Sequence, residues 1–205
     1  MCYNINGDFM KSIEYDVQNE IVIERSKFIT KLFKIQTEEE AKNILNDLNK
    51  QYNDATHICY SYIIGNIKRF NDDGEPGGTA GMPILNVLEN NNLNYILAVV
   101  IRYFGGIKLG AGGLVRAYSN SISECLKTVE VKDLVEGYKI EISFNYHNID
   151  QINYVLKEIT IANKNFDNII TYELLISNDQ LSNITEKLNN LIIELKIKEQ
   201  LLITL

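Results

Sequence analysis

From Asn71 to Tyr118 the chain reads NDDGEPGGTAGMPILNVLENNNLNYILAVVIRYFGGIKLGAGGLVRAY. Both prolines, Pro76 and Pro83, lie in this stretch, with nine of the 12 glycines. The glycines form two clusters, Gly74-Gly77-Gly78-Gly81 and Gly105-Gly106-Gly110-Gly112-Gly113. Between them runs an apolar segment, Tyr95 to Ile101, followed by Arg102. Its β-branched content and short length predict a buried central strand over Tyr95–Phe104. Glycine costs backbone entropy, so dense glycine implies left-handed turns or close approach by another chain or ligand. Two such loops flanking one strand point to a site at the strand's ends, built from backbone amides and a few charges.

Upstream, QNEIVIERSKFITKLFKI (residues 18–35) predicts two strands, Ile21–Glu24 and Lys27–Ile35. Thr37-Glu-Glu-Glu40 is a capping box, and Ala41, Ile44, Leu45, Leu48 and Tyr52 follow at helical spacing. Ala55–Ile64 predicts another strand, and Asn66 with the first glycine cluster predicts a long turn. Met82–Glu89 predicts a helix with Pro83 in its first turn. From Gly112 a longer helix is expected, burying Leu114, Tyr118, Ile122, Cys125 and Val129 and exposing Arg116, Asn120, Glu124 and Lys127. The pattern restarts near Val131–Glu136. Strands at Tyr138–Asn145, at Phe166–Ser177 as a hairpin with the residues before it, and at Lys196–Leu205 alternate with helices capped by Asn148 and by Ser177 or Asn178. That order predicts a ferredoxin-like βαββαβ plait. The expected organisation is therefore α/β (α+β), with domains at 1–132 and 133–205.

The 205 residues carry a net charge of −7, unevenly spread. Residues 1–132 sum to −2 and hold all four arginines (Arg25, Arg69, Arg102, Arg116), whereas residues 133–205 sum to −5. A broad nucleic-acid footprint requires clustered cations, which the second part lacks; a local basic patch in the first stays open. No run approaches the length of a membrane span, and the N-terminus has no secretory pattern, so a cytoplasmic protein without membrane contact is expected. Met10 is a possible alternative start. Three scattered cysteines, Cys2, Cys59 and Cys125, fit free thiols in a reducing compartment.

The loop GGIKLGAGG (residues 105–113) precedes a helix. Consecutive amides at a helix N-terminus attract anions, and Lys108 adds charge. The P-loop pattern fails at Ala111 and the dinucleotide pattern fails at Val115. A tight strand-to-helix turn is the plain alternative. Asp72, Asp73 and Glu75 could hold a hard cation or act as acid and base. They equally suit a turn whose carboxylates bond local amides and pair with Arg102 or Arg116. That second reading ranks first, because nothing fixes a further metal ligand nearby. His57 and Cys59 share one face of a strand, but without more ligands they predict neither a metal site nor a catalytic pair.

Four motifs together carry a resemblance. They are Ser26-Lys-Phe-Ile29, Ala55-Thr-His-Ile-Cys59, Asp72-Asp-Gly-Glu-Pro-Gly-Gly-Thr-Ala-Gly-Met-Pro83 and Arg102-Tyr-Phe-Gly-Gly-Ile-Lys-Leu-Gly-Ala-Gly-Gly-Leu-Val-Arg-Ala-Tyr118. In this order they resemble the YigZ/IMPACT family over most of residues 20–130. The resemblance implies an N-terminal domain like domain two of ribosomal protein S-five. It also implies a C-terminal plait like a terminal domain of elongation factor G, a match resting on pattern alone. It further implies a link to translation, since eukaryotic relatives act in translational control by binding a regulator of a stress kinase. The family's motif positions fall on His57, Asp72, Asp73, Glu75, Thr79, Arg102, Lys108 and Arg116.

The resulting expectation is a non-enzymatic binding protein with no catalytic residues, metal or cofactor. Its contact surface would comprise Arg102, Gly105, Gly106, Lys108, Gly110, Gly112, Gly113 and Arg116, with the acidic turn Asp72, Asp73 and Glu75. The expected partner is a translation-related protein or the ribosome. Two alternatives stand beside it: an enzyme or sensor for a phosphorylated small molecule, and an RNA-binding protein using the N-terminal domain.

Overall fold

The computed structural model describes residues 10–204. Cys2 and the other residues before Met10 lie outside that range, as does Leu205. The described residues form two compact units, residues 10–133 and 134–204. The described residues form a mixed α/β structure with two antiparallel sheets and five α-helices.

In the first unit, β2 (Val17–Ile23) and β3 (Ser26–Lys34) form a hairpin whose two turn residues, Glu24 and Arg25, both have positive φ (46° and 63°). Helix α1 (Glu38–Gln51) follows. Its N-cap Thr37 accepts from the Glu40 amide at 3.2 Å, and the Glu40 carboxylate takes the Gln36 amide at 2.6 Å. The remaining elements are β4 (His57–Ile64), β5 (Ile67–Asn71), α2 (Gly81–Asn90), β6 (Ile96–Tyr103) and α3 (Gly110–Leu126). The sheet order is β2-β3-β6-β4-β5, with β6 at its centre. A short β1 (Lys11–Ile13) pairs with the start of β7 (Val131–Phe144).

Period-two alternation splits the sheet's two faces between two cores. Leu97, Val99 and Ile101 pack with Ile29, Ile58, Tyr62 and the α1 residues Ala41 and Leu48. Ile96, Ala98 and Val100 pack with Phe28, Cys59 and the buried faces of α2 and α3. The five α3 positions expected inside are buried, including Val129 just beyond its end. Two expectations are corrected. Residues 67–71 are a strand rather than part of a long turn: β5 pairs with β4 across the Gly65-Asn66 turn, yet every β5 residue is exposed. The sequence therefore shows no apolar alternation there. Helix α3 begins at Gly110, not Gly112, because the loop tightens directly into the helix.

The second unit contains β7, α4 (Ile149–Val155), β8 (Thr160–Phe166), β9 (Ile170–Ser177), α5 (Asn178–Leu188) and β10 (Glu194–Thr204). Pairings β10-β7, β7-β9 and β9-β8 are all antiparallel, the strand order of a ferredoxin-like plait. Ser177 and Gln180 close a full capping box on α5. Asn148 makes no side-chain cap on α4; its side-chain amide donates instead to the Leu191 carbonyl at 2.7 Å.

Candidate functional site

At one end of the first sheet, register places Phe28, Arg102 and His57 side by side on β3, β6 and β4. Arg102 has the same parity as Ile96, Ala98 and Val100, so its side chain enters the layer beneath α2 and α3 rather than solvent. It is 5% exposed. Its guanidinium lies 5.5 Å from the ring centroids of both Phe28 and Phe104. Nη1 donates to Glu75 Oε1 at 2.6 Å and Nη2 to Ser26 Oγ at 3.3 Å, while the buried Nε has no partner. The same Glu75 oxygen accepts from the Tyr118 hydroxyl at 2.7 Å. The other, Oε2, lies 3.8 Å from His57 Nε2.

The acidic turn is built to hold this pair in place. Asp72 Oδ1 accepts the Ala80 and Gly81 amides at 3.0 and 2.8 Å, and Oδ2 accepts the Gly78 amide at 2.8 Å. Ala80 offers α2 no side-chain cap, so the Asp72 carboxylate supplies from a distance the negative charge a helix N-terminus favours. Asp73 stands at φ 44° and accepts the Ile58 amide on its carboxylate. Its carbonyl lies 2.7 Å from His57 Nδ1, which orients the imidazole. Thr79 closes the loop on itself by donating to the Pro76 carbonyl at 2.7 Å.

The His57–Cys59 face does not assemble a nucleophile. The Cys59 thiol donates to the Asp72 carbonyl at 3.0 Å and lies 3.4 Å from the Tyr118 hydroxyl. Burial, chiefly, pushes the thiol up to about 12, away from the thiolate a nucleophile needs. Burial, then the neighbouring Cys59, likewise pushes the Tyr118 hydroxyl far up. Among the described residues no three His, Cys, Asp or Glu side chains gather as metal ligands would.

The second glycine cluster lies on different terms with its surroundings. A Cβ on Gly105 would come within 2.0 Å of the Arg25 carbonyl carbon, so the β2–β3 turn and this loop touch through backbone alone. Gly106 and Gly110 take left-handed φ, 86° and 69°, as the chain turns into α3. Lys108 and Arg116 are exposed, and neither has an ion-pair or hydrogen-bond partner among the described residues. They line an open groove of about 920 Å³ with Ile23, Glu24, Ile107 and Val115; Gly113 also lines it, while Gly112 packs near Arg116.

The expected surface therefore divides. Arg102 and Glu75 are withdrawn into the fold, which corrects their assignment to an outward-facing contact surface; strand parity and the buried ion pair are the reasons. Thr79 is buried with them. Asp72 and Asp73 spend their carboxylates on local amides. Lys108 and Arg116 have no side-chain partner among the described residues. Ser26, Phe28, Phe104 and Tyr118 were not among the expected site residues. Tyr118 carried a signal, because a tyrosine on a buried helical face needs a partner for its hydroxyl.

The stretch holding this arrangement matches known proteins. The family model described as the Impact N-terminal domain matches residues 24–126. The chain is similar to IMPACT family member YvyE of Bacillus subtilis, 46% identical over 144 residues, covering 69% of this chain and 66% of that protein. An IMPACT family member of Haemophilus influenzae is 35% identical over 176 residues, covering 80% of this chain and 85% of its own length. A crystal structure of a hypothetical protein shares the fold with a TM-score of 0.61 at 29% identity, over 88% of this chain and 91% of that one. The matched residues span the whole Arg102–Glu75–Tyr118 network and both groove cations, and the chain belongs to the IMPACT family.

Proposed function

We propose that this protein is a cytoplasmic, non-enzymatic binding protein linked to translation or its regulation. It meets its partner, a translation-related protein or the ribosome, through the glycine-rich charged surface at residues 105–116. Family membership supports the link to translation, because the resemblance carries translational control in eukaryotic relatives. The observation that supports this surface is the contrast between its charges. Arg102 and Glu75 are paired inside the fold and the Asp72 and Asp73 carboxylates accept from local amides, whereas Lys108 and Arg116 face solvent without partners among the described residues. The two compact units act as two domains, 1–132 carrying the contact surface and 133–205 serving as scaffold or docking surface. No helix among the described residues is long and apolar enough to cross a membrane.

The test is co-sedimentation with ribosomes and translation factors. Replacing both cations, Lys108→Ala with Arg116→Ala, should abolish it while leaving the thermal unfolding midpoint unchanged. Undiminished association by the double variant would refute the assignment.

A second reading is a phosphate-ligand enzyme or sensor. It is favoured by the opening of α3, which has no side-chain cap and sets the amides of residues 110–113 beside Lys108. A thermal-shift series with nucleotides and magnesium separates the two readings, since a ligand at about 100 times its Kd stabilises by roughly 2.7 kcal/mol. RNA binding is the least supported, because a net charge of −7 opposes the polyanion.

A further inference from the structure

The groove beside Lys108 and Arg116 has a composition that narrows the class of its occupant. Its walls come from the end of β2 and the turn after it (Ile23, Glu24), the approach to α3 (Ile107, Lys108) and α3 itself (Val115, Arg116). Ile107 and Val115 are 37% and 38% exposed, so two large apolar side chains stand open within reach of two unpaired cations. Several other charges of the unit are paired: Arg102 and Glu75 inside, and Lys68, Lys127 and Lys132 each with a carboxylate within 3.2 Å, whereas Arg25 and Lys42, like the groove cations, have no ion pair among the described residues. Among the described residues Glu24 is the one carboxylate in the lining, and no ion pair joins it to either cation.

A second observation comes from the backbone at the same rim. Glu24 and Arg25 both occupy left-handed φ, 46° and 63°, a backbone conformation that is strained for residues other than glycine. The turn is held there by the backbone contact with Gly105. It sets exposed Arg25 next in sequence to the groove residue Glu24. β2 is also the outermost strand of its sheet, a position where an extended chain can add backbone hydrogen bonds.

Building on the contact surface proposed above, we infer that this groove binds an extended acidic peptide segment of a partner protein. Apolar side chains of the segment lie against Ile107 and Val115, and its carboxylates meet Lys108 and Arg116. A free phosphate or an RNA backbone would use the cations but leave the apolar walls wet. A purely apolar helix would leave two cations covered without counter-charge, which is costly. A volume of about 920 Å³ is room for a short segment rather than a domain.

The experiment uses the full chain labelled for NMR, titrated with a hexapeptide pool in which apolar residues alternate with Asp or Glu. The controls are the same pool with Lys or Arg in the charged positions, and oligouridine. The acidic pool should give saturable amide shifts confined to residues 23–25, 107–116 and the adjoining turn of α3, weakening as salt rises. Lys108→Glu with Arg116→Glu should weaken binding by roughly tenfold or more, and Val115→Asp should weaken it while the unfolding midpoint holds. No shifts, equal shifts with the basic pool, stronger shifts with oligouridine, or indifference to the charge reversals would each overturn the inference. If the pool binds here but ribosome association ignores Lys108 and Arg116, the assignment of ribosome contact to this surface fails and the peptide site stands. If association needs both cations but the acidic pool neither binds nor competes, the peptide site fails and the link to translation stands.

Discussion

Replacing Glu75 by glutamine removes one charge and almost no volume from the interior, which makes it a direct measurement of the buried ion pair. The carboxamide put in its place can still accept from Tyr118 and Arg102, but the guanidinium is left as an uncompensated cation at 5% exposure. Besides that neutral acceptor it has one 3.3 Å bond to Ser26 and the faces of Phe28 and Phe104, and its Nε already lacks a partner. Breaking a buried pair from one side costs about 3–5 kcal/mol. Total stability is of order 5–15 kcal/mol, so a large share of it depends on this carboxylate. Arg102→Met should cost less, about 2–3 kcal/mol, because Tyr118 still donates to Glu75 and His57 lies beside its other oxygen. In the double variant no buried charge remains, so its loss should fall well short of the sum, with a coupling of roughly 2–3 kcal/mol. The assay is pulsed alkylation of Cys59 and Cys125 against urea, resolved by peptide mass. Both thiols are buried in the first unit, and so report its unfolding alone. For an m-value of about 2 kcal/mol/M, Glu75→Gln should lower the midpoint by roughly 1.5–2.5 M. A fall below about 0.5 M, or strictly additive losses in the double variant, would show that the pair contributes little and that the reasoning is wrong.

Three further outcomes are expected. Gly105→Ala should destabilise the first unit by about 1–3 kcal/mol or more, because the new Cβ would meet the Arg25 backbone, which cannot swing aside as a side chain can; a urea midpoint equal to wild type would contradict this. The Cys59 thiol is raised from 9.0 to about 12, so folding favours its protonated form. Its contribution is complete below about pH 9 and is lost as pH rises toward 12, so wild type should lose stability more steeply over that window than Cys59→Ser, and parallel curves would exclude the effect. Ser177→Ala should cost the second unit about 1 kcal/mol by opening the α5 capping box, leaving Cys59 and Cys125 alkylation unmoved; an equal shift at those thiols would mean the two units unfold together.

Much of the fold follows from local rules that a sequence displays openly. Thr37 to Glu40 marks the start of α1, and Ser177 marks the start of α5. The spacing of Leu114, Tyr118, Ile122 and Cys125 identifies the buried face of α3, and the apolar run at residues 96–101 identifies the central strand. β5 was illegible because every one of its residues is exposed, so only backbone pairing with β4 makes it a strand. Glycine density drew attention to residues 74–113, since backbone conformation and close approach are properties a residue type can signal by itself.

What residue type cannot signal is which way a charge points once the strands have registered. Arg102 and Lys108 are six residues apart and chemically similar in sequence. The register of β6 between β3 and β4 turns the first inward onto Glu75, while the turn after Gly105 leaves the second in open solvent. Composition and periodicity determined the layers, the helices and the two-part chain. Long-range pairing alone decided that Arg102 is structural and that Lys108 and Arg116 are left exposed, without a side-chain partner among the described residues. The physical reason is that burial and neutralisation depend on neighbours that the chain brings from 27 and 43 residues away, as it does for Arg102–Glu75 and Tyr118–Glu75.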